Sequence, residues 1–130
     1  MSKFKTITLP VLLATIWISI SEFVRNEFLL KNYWTEHYQS LGLIFPSEPI
    51  NGIVWGIWSL CLAIGIYMIS RKFSLNQTVF ISWFMAFVLM WIVVGNMNVL
   101  PFDILSIAIP LSLLEVYLAA LIIEKLSDKK

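Results

Sequence analysis

Four long apolar runs, at residues 6–26, 51–70, 78–97 and 102–123, alternate along the chain with short polar breaks. Each is about the 20 residues that an α-helix needs to cross the hydrocarbon core of a bilayer. The pattern predicts transmembrane helices at about 6–30, 49–70, 77–97 and 102–125. The breaks RKFSLNQ and MNVLP are short, which forces the helices on either side to run antiparallel. The expected fold is an all-α, four-transmembrane-helix antiparallel bundle, a single integral membrane domain over 1–130. The first connection, 31–48, is longer. Within it Trp34, Tyr38 and Leu41 recur at i, i+4 and i+7. That spacing predicts one or two turns of amphipathic helix, ended by Gly42. Its aromatic residues suit the membrane interface or a cap on the bundle. Ser47 or Glu48 is expected to cap the second span, with Pro49 in its first turn.

Polar positions inside the spans break the apolar pattern selectively. Thr8, Thr15, Ser19, Glu22 and Asn26 fall within about a 60° arc of the first helix at 100° per residue. Unsatisfied polar groups in hydrocarbon cost several kcal/mol, so this seam should face protein or water. Arg25, three residues after Glu22, is placed to pair with it, and Glu27 with Lys31 forms an i, i+4 pair at the rim. The second span carries a small-residue face of Gly52, Gly56, Ser59 and Ala63. Its GxxxG predicts close approach of another helix, within the chain or in a second copy. The third span offers a thinner small face at Ser82 and Ala86.

The fourth span holds the deepest carboxyl, Glu115, on a face with Ala108, Ser112 and Ala119. No basic residue lies within one turn of it along its own helix. An ionised carboxylate at that depth costs about 3 kcal/mol or more. Glu115 is therefore expected to be protonated, hydrogen-bonded across the bundle, or near water. Pro110, with Ser106 one turn earlier, should kink the helix beside it. Depth matching at 1.5 Å per residue sets Thr15 and Ser82 level with Glu115, and Glu22 and Arg25 nearer the far side. There GNMNVLPFD supplies Asn96, Asn98 and Asp103, and a polar vestibule shared with Glu22, Arg25 and Asn26 is expected. Asp103 also fits ordinary helix capping.

Composition sharpens this picture. The chain is 59% hydrophobic and 13% charged, with a mean hydropathy of +0.84. Soluble domains carry about 25% charged residues. Lys3, Lys5, Arg71, Lys72, Lys125, Lys129 and Lys130 fall on one side of four crossings, and Arg25 and Lys31 with five acids on the other. The positive-inside rule then predicts cytoplasmic termini, in a bacterial inner membrane. Lys3, Lys5, the run from Ile7 to Ile18 and the small residues Ser19 and Ser21 imitate a secretory signal. Bulky Trp17 and Ile20 around that site favour an uncut helix. A net charge of +1 with no basic patch gives no expectation of nucleic-acid binding. The lone Cys61, inside the second span, reads as packing.

Chemistry by motif is sparse. One histidine, His37, and no HxxxH, HExxH or CxxC give no expectation of a metal site. No GxSxG, P-loop or GxGxxG occurs, and no cofactor is expected. In length and span count the chain resembles membrane-associated glutathione-handling enzymes. FVRNEF carries no recognisable form of their motif and lies on the wrong helix, so no family is assigned. The leading expectation is binding or transport of a small polar or cationic solute through the polar interior, proton-coupled through Glu115. The two halves do not look alike, so transport would call for a homo-oligomer. The alternatives are a non-catalytic membrane subunit or assembly factor docking through the GxxxG face and outer loop, and a membrane enzyme using Glu22, Arg25, His37 and Asp103 on a lipid-borne substrate.

Overall fold

The computed structural model describes residues 2–128 and is helical through most of them. Five helices follow one another: α1 (Phe4–Leu29), α2 (Lys31–Ser40), α3 (Pro49–Ser70), α4 (Leu75–Asn96) and α5 (Phe102–Leu126). All but α2 are long and apolar enough to cross a membrane, and these four make an antiparallel bundle. One end, here the terminal end, holds both termini and the α3–α4 turn, where Arg71 Nη1 donates to the Asp128 carbonyl at 2.5 Å. The other, the loop end, holds α2 and the α4–α5 turn. There the His37 Nε2–H donates to the Asn98 carbonyl at 2.9 Å.

Local chemistry explains where these helices start and stop. Pro49 opens α3, and the backbone N–H of Glu48 donates to Asn51 Oδ1 at 3.0 Å. A capping box opens α4. Ser74 Oγ accepts from the Gln77 N–H at 3.3 Å, and Gln77 Oε1 accepts from the Ser74 N–H at 3.1 Å. Phe102, just past the α4–α5 turn, packs close against Gly95, where an added Cβ would lie 3.2 Å from its ring.

The amphipathic segment is a full ten-residue helix rather than one or two turns. Only Leu30 (φ −115°) separates it from α1, and the Trp34 N–H bonds back to the Leu30 carbonyl at 3.1 Å. Gly42, at φ +73°, ends it with Gly42 N–H to Gln39 O at 3.0 Å and Leu43 N–H to Tyr38 O at 2.9 Å. The following chain folds Phe45 back onto Trp34 and Tyr38, with ring centroids 5.6 and 5.2 Å away. The segment thus caps the bundle.

The tightest packing lies towards the terminal end. Ala14, Ile18, Ala63, Ile66, Val116, Ala119, Ala120 and Ile123 are wholly buried there. Small residues let helix backbones approach closely where lipid offers no hydrophobic drive between them. Nothing stands within 4 Å of a Cβ added at Gly52 or Gly56. The close approach expected of the GxxxG falls instead at buried Ser59 and Ala63. From Ser59 towards the loop end α3 has no buried residue, and neither has α4 beyond Phe87. The two helices splay. Pro110 lies on the exposed side of α5, which runs on through it as one helix.

Candidate functional site

Where α3 and α4 part, four polar side chains meet inside the bundle. Glu22, Arg25 and Asn26 come from α1 and Glu115 from α5, and none is more than 6% exposed. Arg25 is the hub. Its Nη2 donates to Glu22 Oε1, and its Nη1 donates to Glu115 Oε1 at 3.3 Å. Its guanidinium also lies over the Phe87 ring, 5.4 Å from the centroid. The other oxygen of Glu22, Oε2, accepts from Asn26 Nδ2 at 3.0 Å and from the Trp55 indole at 3.2 Å. Asn26 Oδ1 in turn accepts from the Trp34 indole at 3.1 Å.

Two backbone features bring this about. Side chains on a helix lean towards its N-terminus. In antiparallel α1 and α5 those leans converge, so Arg25 reaches down from the loop end as Glu115 reaches up. The second feature is local widening. Residues Val24–Leu29 of α1 and Phe84–Val88 of α4 bond with i→i+5 spacing, as in Leu30 N–H to Arg25 O at 2.9 Å. Such wide turns recur at functional sites. Here they present Arg25 and Phe87 to one another.

Glu115 is anchored but incompletely satisfied. The Trp17 indole donates to its backbone carbonyl at 2.9 Å. Its Oε1 is held by Arg25, whereas its buried Oε2 has no hydrogen-bond partner. Two carboxyls and one guanidinium thus share a buried site. With both carboxyls ionised the cluster carries one negative charge. One proton or one bound cation makes it neutral.

Two cavities open on this cluster from the loop end. The first, about 430 Å³, is walled mainly by aromatic rings, among them Trp34, Tyr38, Trp55, Trp58 and Trp91, with Glu22, Arg25 and Asn26 at its polar end. The second, about 440 Å³, lies between α1 and α3 and is lined by Ser19, Glu22, Glu27, Glu48, Gly52 and Gly56 among others. Glu115 lines neither; Arg25 stands between it and the first cavity.

The predicted polar residues therefore separate into groups. Glu22, Arg25, Asn26 and Glu115 form one cluster, and Ser19 joins its margin through the second cavity. Ser112 is fully engaged: it accepts from the Trp83 indole at 2.9 Å and donates to the Ile109 carbonyl at 3.0 Å. Asn96, Asn98 and Asp103 lie exposed at the loop-end surface and line neither cavity. The shared vestibule expected of them does not form. Asn98, at φ +63°, serves the α4–α5 turn. Its carbonyl occupies His37, so His37 and Asp103 are not gathered with Glu22 as acid–base partners. The seam on α1 also divides. Thr8 is exposed, and Thr15 donates to the Val11 carbonyl of its own helix at 2.8 Å.

Sequence reasoning missed the Arg25–Glu115 bond and the indole donors of Trp34 and Trp55. The available signal was the opposed lean of two antiparallel helices, added to the reach of an arginine. Among the described residues no group of three or more His, Cys, Asp or Glu side chains is placed to hold a metal ion. No family model matches the chain, and neither the curated proteins nor the solved structures contain a match to it.

Proposed function

We propose that this is a membrane protein that binds a small organic cation in the aromatic-walled cavity and exchanges it against a proton held by the Glu22–Arg25–Glu115 cluster. The observation that carries this reading is the charge count of the buried cluster: two carboxyls against one guanidinium, with Glu115 Oε2 unpartnered. A buried site of that make-up favours neutrality, which a proton or a bound cation supplies. The wall suits the second of these. Aromatic faces attract cations, most strongly when water is excluded.

The coupling follows from Arg25. When a cation approaches Glu22 through the first cavity, it competes with the guanidinium for that carboxylate. Arg25 then turns its charge towards Glu115, whose proton becomes dispensable. Protonation of Glu115 sends Arg25 back to Glu22 and weakens the cation's hold. In this proposal the terminal end faces the cytoplasm of a bacterial cell, in keeping with the Lys3, Lys5, Arg71, Lys72 and Lys125 side chains at that end. Lys129 and Lys130 lie outside the described residues.

The test uses detergent-purified protein and ethidium as the aromatic monocation. Saturable quenching of tryptophan fluorescence with proton release into weak buffer is the expected result. Glu115→Gln is expected to bind without releasing protons, and Glu22→Gln to bind weakly. Wild-type binding and proton release in both variants would remove the roles of both carboxyls. A second reading, a non-catalytic subunit or assembly factor, is favoured by the uncovered faces of Gly52 and Gly56. A stoichiometric partner that co-purifies and abolishes ethidium binding would support it.

A further inference from the structure

The two cavities share Glu22, Asn26, Pro46, Asn51 and Trp55, and the Trp55 indole donates to Glu22 Oε2 at 3.2 Å. Their walls differ in part. Glu22, Asn26 and Asn51 line both; the first adds Arg25 and most of the aromatic rings, and the second adds the carboxyls of Glu27 and Glu48 with Ser19 and Ser47, and no basic side chain lines it. Lys31 lies 3.7 Å from Glu27 but outside the cavity, and Arg25 meets Glu22 on its other oxygen, Oε1. The glycines have a clear use here. Gly52 and Gly56 line the second cavity, with open space where a Cβ would stand, so their missing side chains contribute its volume.

From this geometry we infer that the second cavity is a hydrated, cation-selective entry to Glu22, with Trp55 as the partition that keeps it separate from the aromatic cavity. The inference assigns the GxxxG face to a water path rather than to a helix contact. Ser47 and Glu48 on one side and Ser19, Glu22 and Ser59 on the other, set among apolar residues such as Phe23 and Pro46, give water the partners it needs within membrane depth. Glu22 is paired with Arg25 and Glu27 with Lys31, so Glu48 at the rim leaves one carboxylate in excess, which favours cations in the cleft. The Trp55 indole divides the space because its N–H is pinned on Glu22, leaving the ring as a wall between organic solute and hydrated ion. This deepens the proposed exchange by giving the proton or small ion its own route. It rests on that reading for its purpose, whereas its test does not depend on transport.

Ser19 sits on the wall of the second cavity, about 16 Å below Leu30 along α1 at 1.5 Å per residue. The probe is Ser19→Cys in a Cys61→Ala background, treated in proteoliposomes with membrane-impermeant methanethiosulfonates, which label only thiols that water reaches. The cationic reagent is expected to label Ser19→Cys about tenfold or more faster than the anionic one, in line with electrostatic focusing in charged clefts. Leu12→Cys, on an exposed apolar face of the same helix, should stay unlabelled. Adding Gly56→Leu should suppress labelling of Ser19→Cys at an unchanged unfolding midpoint. Bound ethidium should protect Ser19→Cys only when Trp55→Ala is also present. Labelling no faster than at Leu12→Cys would overturn the water path, even if ethidium binding is intact. Equal rates for both reagents would overturn its selectivity, and labelling indifferent to Gly56→Leu would overturn the route. Equal protection with and without Trp55 would overturn the partition. Loss of ethidium binding with labelling preserved would instead count against the proposed function alone.

Discussion

The two ends of this bundle are built from the same four helices but solve opposite problems. Towards the terminal end, Ala14, Ala63, Ala119 and Ala120 bring backbones together around Ile18, Ile66, Val116 and Ile123, all wholly buried. The buried polar groups there are hydroxyls, among them Thr6, Ser70, Thr78 and Ser82, and helix register is set by steric fit. Towards the loop end, α3 beyond Ser59 and α4 beyond Phe87 bury nothing, and the space they leave is walled by indoles and flanked by Trp34 and Tyr38 of α2. Register there is set by directional bonds: Arg25 to two carboxyls, and Trp34 and Trp55 to Asn26 and Glu22. The difference teaches how a small membrane protein keeps a hollow site open. A tightly packed half holds the helices, so the other half can spend its side chains on polar contacts and empty volume.

That contrast can be broken most directly at its hub. Arg25→Ala leaves two buried carboxyls without their guanidinium, and breaking a buried ion pair from one side costs about 3–5 kcal/mol. Denaturant titration in detergent should show a loss of that size, and adding Glu115→Gln should recover part of it. No loss in Arg25→Ala would mean that the hollow half owes nothing to its charges. Enlarging the tight half comes next. Ala63→Leu or Ala119→Leu overpacks a filled interface, with an expected cost of about 1–3 kcal/mol by the same titration.

A smaller effect is expected from Trp34→Phe, which keeps the aromatic wall and its stacking on Phe45 but removes the donor to Asn26. The loss of one such bond is about 1 kcal/mol. The control is Gly56→Leu. The same side chain that disrupts the tight half at Ala63 should change stability by less than about 0.5 kcal/mol here, because it enters open space. Equal penalties at Ala63 and Gly56 would erase the distinction between the halves.

Parts of the site could be read from the chain before any tertiary contact was known. Glu22, Asn26 and Glu115 stood out because each places a polar group where a span should be apolar, and burial in the bundle is the arrangement that relieves the cost. The i, i+3 pairing of Glu22 with Arg25 was legible because both lie on one helix of known pitch. By contrast, Asn96, Asn98 and Asp103 were grouped with them on depth alone. Depth says nothing about which way a turn faces, and the left-handed Asn98 shapes that loop at the surface. The GxxxG was read as a contact for the same reason. Small residues permit close approach, but they equally permit a cavity, and only the position of α1 decides between them.

The spans, their antiparallel order and the ends at which charge collects were written in the sequence itself. Transfer from water to hydrocarbon sums residue by residue along a helix and needs no knowledge of neighbours. Tertiary structure alone decided that Arg25 bridges Glu22 and Glu115, that α3 and α4 part beyond Ser59 and Phe87, and that Trp55 stands between two cavities. Those outcomes turn on helix rotation and axial offset of a few ångströms. A hydrogen bond forms or fails over such distances, whereas hydrophobicity barely changes.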